Sequence, residues 1–268
     1  MEENRDEASL EVRTYFVRKR NALLARAEFS GLYVDYYLHQ GQIQHRPSTQ
    51  EDAFFKEALA ALGLHLASRP WNESIAWTIH SEHPRLNVFV AGDNRQGTLI
   101  GQSFSEDVRE LGRNLFYSDL IRPNEPLRRS SVEFDEFDAF RAVETFYRDS
   151  EQRLMRLYTH GDEDYVMVQA QPDCDEDWLR GLTDEAIRTM DRSEELSLLE
   201  VRKYRWECGC DSRRMISVCS AKGGMGTGKV LNIERSMRSR VTPKQRLSVI
   251  ARDNGELKKC IKYSVRAT

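Results

Sequence analysis

Long apolar runs are missing from this sequence. No segment approaches the roughly 18 consecutive apolar residues that a membrane-spanning helix needs, and the stretch Met1 to Arg13 carries charge where a signal peptide would be apolar. The expectation is a cytoplasmic protein that does not enter a membrane. Cysteine is scarce, five in 268 residues and unevenly spaced, which excludes a secreted disulfide framework. Catalytic signatures are missing too: there is no nucleophile elbow, no HExxH and no pair of carboxylates in a supporting context, so the chain is not expected to be an enzyme. Its histidines, His39, His45, His65, His80, His83 and His160, lack metal-ligand spacing, and none follows His160. His65 and His80 are expected to be packed or surface residues.

What is present is ordinary in bulk and uneven along the chain. With 40% hydrophobic and 31% charged residues, a sizeable core is within reach. The net charge of −3 conceals an asymmetry: residues 201–268 hold 17 Lys and Arg against 5 Asp and Glu, while the first 200 hold 23 against 38. A basic end of this kind suits an anion, including nucleic acid, or the acidic remainder of the same chain. No aromatics are interleaved among Arg235, Arg238, Arg240, Lys244, Arg246, Lys258, Lys259 and Lys262, so the nucleic-acid reading rests on charge alone.

At the head of that basic segment stands Cys208-Gly209-Cys210. In an extended backbone residues i and i+2 project to the same face, so the two sulfurs can grip one metal or couple with other thiols. Cys219 and Cys260 are the only thiols beyond them, and Cys174 sits alone in an acidic stretch as an expected surface thiol. Between the cysteines, Gly223 to Lys229 satisfies the spacing GxxxxGK of a phosphate-binding loop. Val230 stands where the Mg²⁺-binding Ser or Thr belongs, however, and about 40 residues remain, too few for a nucleotide-binding sheet. The stretch is read as a glycine-rich insertion.

The periodicity predicts an α+β protein with one dominant β-sheet and packed helices. A short extended stretch over Val12 to Val17 is followed by an expected helix through Arg20 to Ala27. Aromatic and β-branched content predicts a strand over Gly31 to Leu38. Ser48 is placed to cap a helix from about Glu51 to Leu66, with Phe54, Phe55, Ala58, Leu59 and Leu62 on its apolar face. Three short strands follow as a meander within Ser74 to Phe104, with two more over Leu115 to Leu120 and Ser131 to Phe134. An amphipathic helix is expected over Phe137 to Ser150, and a hairpin of Met155 to Thr159 with Tyr165 to Gln169. The aromatics of this part are at core spacing. This gives a core domain over 1–172, a helical linker over 173–205 and a small cysteine-containing module over 206–268.

In this order the features resemble the 33 kDa chaperonin family, the redox-regulated heat-shock holdases. The matching stretches are Arg13-Thr14-Tyr15-Phe16, the run Phe140 to Gln152 with its Ser150-Glu151-Gln152, Gly181-Leu182-Thr183-Asp184-Glu185, and Cys208-Gly209-Cys210-Asp211-Ser212-Arg213-Arg214. The resemblance implies an ATP-independent chaperone that dimerises, binds unfolded client proteins and holds zinc through a CxC and a CxxC motif. Oxidation converts the family's four thiolates to two disulfides, zinc leaves and the linker unfolds. Thiolate chemistry, metal release and unfolding are linked in this way because metal affinity is folding energy. Cys208, Cys210 and Cys260 are then the redox residues, and the linker's Leu196, Leu198 and Leu199 the candidate client-binding surface, or else the apolar side of a helix docked on the sheet.

The chain departs from the family in its second motif: Cys260 stands first and Tyr263 occupies the place of the second cysteine. A phenol keeps its proton at neutral pH and is a poor zinc ligand. Cys219, outside the family positions, would have to complete a set of Cys208, Cys210, Cys219 and Cys260. The linker is also shorter than the family's by about one helix. A second class of function is therefore kept, a non-chaperone interaction protein on the same fold whose basic C-terminal segment binds nucleic acid or a ribosomal surface.

Overall fold

A computed structural model of the chain describes residues 10–207. Their ordering begins with a hairpin, β1 (Leu10–Val17) and β2 (Ala22–Glu28), turned at Asn21, whose φ of 48° lies in the left-handed region. Two helices follow, α1 (Ser30–Ile43) and α2 (Thr49–Ala67). The Ser48 side chain accepts a hydrogen bond from the Glu51 N–H at 3.2 Å, and Glu51 and Asp52 occupy the first turn, which favours this helix start. Phe54, Phe55, Ala58, Leu59 and Leu62 are all buried, as the spacing predicts.

The meander is β3 (Ser74–Ser81), β4 (Leu86–Asp93) and β5 (Thr98–Phe104), followed by β6 (Asn114–Ile121) and β7 (Arg128–Phe134). Alternation sets its inner face: Ile75, Trp77 and Ile79 on β3 meet Val88 and Val90 on β4 and Phe116 on β6 against the helices. The amphipathic helix is α3 (Ala139–Phe146), capped by Asp138 and continued by a π-helical turn over Tyr147–Glu151. β8 (Met155–Gly161) and β9 (Asp164–Ala170) form the expected hairpin. Three short helices, α4 (Glu176–Arg180), α5 (Asp184–Arg188) and α6 (Met190–Ser193), lead to a long strand, β10 (Leu196–Trp206).

The ten strands run in the order β7-β6-β3-β4-β5-β10-β1-β2-β9-β8. Neighbours are antiparallel except at one seam. There β10 lies parallel to β5 over only Arg205 opposite Thr98 and Trp206 opposite Leu99, flanked by hydrogen bonds from Arg205 N–H to the Gly97 carbonyl and Glu207 N–H to the Leu99 carbonyl. The sheet is thus two antiparallel halves joined by the last residues of β10. Gly97 is required here: its φ is +61°, and a Cβ would lie 2.7 Å from the Lys203 carbonyl oxygen. Helices α1, α2 and α3 cover one face of the sheet, and α4 to α6 cover the opposite face of the half formed by β1, β2, β9 and β8.

Three local expectations are corrected. Residues 20–27, expected as a helix, form the turn and β2, because Ala22 and Leu24 pack on one face while Ala25 and Ala27 pack on the other. Apolar residues on both faces of a strand lose the period of two and imitate a helix. Gly31 to Leu38, expected as a strand, belongs to α1, where Leu32, Tyr33, Tyr36 and Gln40 make a buried helical stripe. Burial of that stripe overrides the β preference of its tyrosines. The stretch 173–205, expected to be helical, is helical only as far as Ser193; from Leu196 it is a strand of the sheet.

Candidate functional site

The strap formed by α4, α5 and α6 is built from the three shortest α-helices of the described chain. Its helices span five, five and four residues, far below the roughly 12 to 15 at which a helix is even marginal alone. Two of the three starts are helped locally: Asp175 accepts from the Trp178 N–H at 3.0 Å, and Thr183 accepts from the Ala186 N–H at 3.2 Å. Apolar side chains cover the sheet. Leu179, Leu182, Ile187 and Met190 are buried on the strap and cover Val17, Ala22, Leu24, Tyr158, Val166, Val168 and Ala170 of the sheet. Burying side chains of this size stabilises by about 1.5–3 kcal/mol each, so the strap and the apolar sheet beneath it depend on each other.

A single side chain ties both ends of the strap to the β1–β2 turn. The Arg20 guanidinium donates to Asp175 at 2.8 Å, just before α4, and to Glu194 at 3.0 Å, just after α6, and lies over the Trp178 ring at 5.4 Å. These hydrogen bonds, with Glu194 foremost, raise the arginine above its ordinary range. The Trp178 N–H, followed by Arg20, holds Asp175 below the usual carboxylate range. Cys174, the only cysteine among the described residues, is half-buried against this same apolar cluster rather than a plain surface thiol, and burial pushes its thiol up.

Beyond the strap the chain becomes part of the core. Arg202 of β10 is buried and donates to the Leu66 carbonyl at 3.1 Å and the Arg69 carbonyl at 2.7 Å, with its guanidinium 4.3 Å from the centre of the Trp71 ring. Asn94 donates to the Leu66 and Pro70 carbonyls and accepts from the Tyr204 hydroxyl at 2.8 Å. Burial pushes Tyr204 up to about 12, which keeps it protonated as that donor. Together these groups add hydrogen bonds to carbonyls at and just beyond the end of α2.

Of the residues singled out as client-binding, Leu196 is half-buried beside the strap's cluster, whereas Leu198 and Leu199 are 56% and 57% exposed on β10. Leu198 stands opposite Tyr15, and the register between β1 and β10 shifts at Thr14/Tyr15 beside Leu199. Exposed Val201 extends the apolar strip along the strand. Cys208, Cys210, Cys219 and Cys260, with Tyr263 and the glycine-rich stretch 223–228, lie outside the described residues.

The histidines are accounted for by packing where singled out. His65 is fully buried, held below its ordinary range by desolvation and by Arg69, and its Nδ1 meets the Tyr147 hydroxyl. His80 uses both ring nitrogens, on Asn87 and Glu82. Among the described residues no group of three or more His, Cys, Asp or Glu is placed to hold a metal ion, and no helix is long and apolar enough to cross a membrane. Leu179, Leu182, Ile187 and Met190 stand out in the sequence as apolar positions of the stretch 173–205, with no function assigned to them. Their signal lies in β2 and β9, whose two apolar faces require a second covering layer.

The architecture is that of an α+β protein in which one large sheet carries helices on one face and a short helical strap on the other. No protein-family model matches this chain, and no curated protein matches it in sequence. Among solved structures, the crystal structure of the 33 kDa chaperonin (heat shock protein 33 homolog) of Thermotoga maritima is similar over 95% of this chain and 98% of that one. The TM-score is 0.61 at 10% sequence identity. The chain has the fold of that chaperonin.

Proposed function

We propose that this protein is an ATP-independent holdase that captures unfolded proteins on the apolar sheet face beneath α4–α6, together with the exposed strip of Leu198, Leu199 and Val201. The observation that carries this reading is the construction of the strap: three helices too short to stand alone cover a continuous apolar face. Release of such a cover exposes the kind of surface that binds unfolded chains. The likeness in fold to a 33 kDa chaperonin supports it.

In this reading the released segment ends near Glu194 and does not include β10, whose Arg202 and Tyr204 are bonded into the core. Leu196 is then uncovered with the sheet, and Leu198 and Leu199 serve as a standing contact. Cys208 and Cys210 are the redox pair: peroxide takes two electrons from the two thiols, the sulfurs join, and the oxygens leave as water. The donor set does not fit zinc at the family positions, where Tyr263 stands in the fourth place; it closes only if Cys219 joins Cys208, Cys210 and Cys260. No step is therefore assigned to the metal.

The test is oxidation with peroxide under mild heat. Hydrophobic-dye binding rises and a thermolabile client enzyme stays in solution, with metal content and a thiol count taken before and after. If neither the oxidised nor the reduced protein suppresses client aggregation, the holdase reading is wrong. Salt-sensitive binding to RNA, lost on deletion of 206–268, would favour the interaction-protein reading, for which the basic composition of that segment is the ground.

A further inference from the structure

The β1–β2 hairpin lies between β10 on one side and β9 on the other, so its turn stands between the chain that leaves β9 and the chain that enters β10. These are the two ends of the strap, and the turn bonds to both. At the entry, the Gln171 N–H donates to the Asn21 carbonyl at 3.1 Å, the Asn21 side-chain amide to the Asp173 carbonyl at 3.1 Å, and the Asp175 N–H to the Arg20 carbonyl at 3.0 Å. At the exit, the Arg18 N–H donates to the Glu195 carbonyl at 3.1 Å. The Arg20 guanidinium joins entry to exit through Asp175 and through Glu194, whose side chain is 10% exposed.

The middle of the strap is held differently. Among the described residues, one hydrogen bond crosses from 176–193 to the sheet, from the Tyr158 hydroxyl to the Leu182 carbonyl at 3.3 Å. The rest of the cover is the apolar packing around Leu179, Leu182, Ile187 and Met190, with Asp191 near enough to Arg26 to act on its charge. None of the bonds at the two ends uses these side chains. The ends are gripped by a turn that two inner strands carry, whereas the helices between them are too short to keep their shape once lifted. The middle can therefore open at a lower cost than the ends.

We propose that α4–α6 form a lid pinned at both ends, which opens as a closed loop while the β1–β2 turn keeps its grip through Arg20. Closing then re-forms helices between fixed points rather than along a free chain, which lowers the entropy to be overcome. Such a lid uncovers the faces of β2 and β9 and returns to them without unfolding the chain on either side. The inference rests on the holdase reading only in that the strap opens; no client is needed to test it.

The full chain is followed by native-state amide exchange in subdenaturing urea, together with alkylation of Cys174 by iodoacetamide, read on its own peptide by mass spectrometry. Cys174 lies inside the entry pin, between Asp173 and Asp175, and is half-buried. The amides of 177–192 are expected to exchange first, while those of Asp175 and Arg18 stay protected with β1 and β2, and Cys174 is alkylated no faster. In Arg20→Gln, alkylation of Cys174 at the same urea rises about tenfold, with exchange in β3 and β4 unchanged. Arg188→Gln, which removes an exposed charge from the strap itself, keeps the parent's alkylation rate. Asp175 and Arg18 amides that open together with 177–192 overturn the proposal, because the strap then peels from its ends. So does an alkylation rate that Arg20→Gln leaves unchanged, or that Arg188→Gln raises equally. Exchange of 177–192 only together with β3 and β4 overturns it too, and removes the strap release that the holdase reading needs. Pinned opening in a protein that protects no client keeps the lid and removes the capture. If Arg20→Gln fails to fold, the order of exchange in the parent protein decides by itself.

Discussion

Truncating Leu179 to alanine tests the strap directly. Leu179 is fully buried between α4 and the sheet, and cutting a buried leucine to alanine costs about 2–5 kcal/mol through lost transfer energy and the cavity left behind. That cost falls on the strapped state alone, since a released α4 has already given up the contact. With each 1.4 kcal/mol worth a factor of ten, the released population rises roughly 30-fold to a few thousandfold. Global unfolding is resisted separately by α1–α3 and the opposite sheet face, so Leu179→Ala opens the strap before it opens the core. Amide hydrogen exchange reads this as faster exchange over residues 176–193 with little change in β3 and β4. Under reducing conditions and without oxidant, the variant is expected to bind a hydrophobic dye and to suppress aggregation of a thermolabile client enzyme. If exchange and dye binding rise while the client aggregates as before, the apolar face beneath the strap is not the capture surface. If exchange rises equally in β3 and β4, the strap is not an independent unit.

Three further outcomes are expected. Leu198→Ser/Leu199→Ser changes thermal stability little, within about 0.5 kcal/mol per site for exposed positions, but lowers client protection by the oxidised protein; unchanged protection removes these residues from the surface. Arg202→Ala destabilises by about 2–4 kcal/mol, because it strips hydrogen bonds from the Leu66 and Arg69 carbonyls and the stacking on Trp71; a loss under 1 kcal/mol would mean that β10 is not locked into the core. Glu73 is wholly buried, and burial alone would raise its pKa, yet hydrogen bonds from Arg69 and Arg122 outweigh this and hold the carboxyl below its ordinary range. Its folded pKa is depressed, so its stabilisation is present above about pH 4.5 and lost as the pH falls through the folded value. Glu73→Gln therefore lowers stability by about 1–2 kcal/mol at pH 7, screened because both guanidinia are partly exposed, and the gap from the parent closes on acidification; a gap constant with pH would contradict the ion-pair account.

Much of the core domain was legible along the chain. The meander β3–β5, the strands β6 and β7, the hairpin of β8 and β9, and the cap of α2 at Ser48 follow from alternation and local side-chain bonds, which act between residues close in sequence. The errors share one cause. β2 is apolar on both faces because α4–α6 lie over one of them, and α1 is aromatic because Tyr33 and Tyr36 fill the space against α2 and the sheet. β10 was misread because Arg202 and Tyr204 are buried through bonds to Leu66, Arg69 and Asn94, more than 100 residues away. A periodicity argument counts such residues as exposed.

By itself the sequence determined the α+β class, the capped helix, the charge asymmetry and the cysteine pair with its incomplete partner motif. These depend on residue type and short spacing. Tertiary structure alone decided where the strap ends and the core resumes, which apolar face the strap covers, and that the β1–β2 turn holds both ends of the strap through Arg20. The physical reason is that burial and charge density belong to surfaces assembled from distant segments, and no local pattern records which face a neighbour will cover.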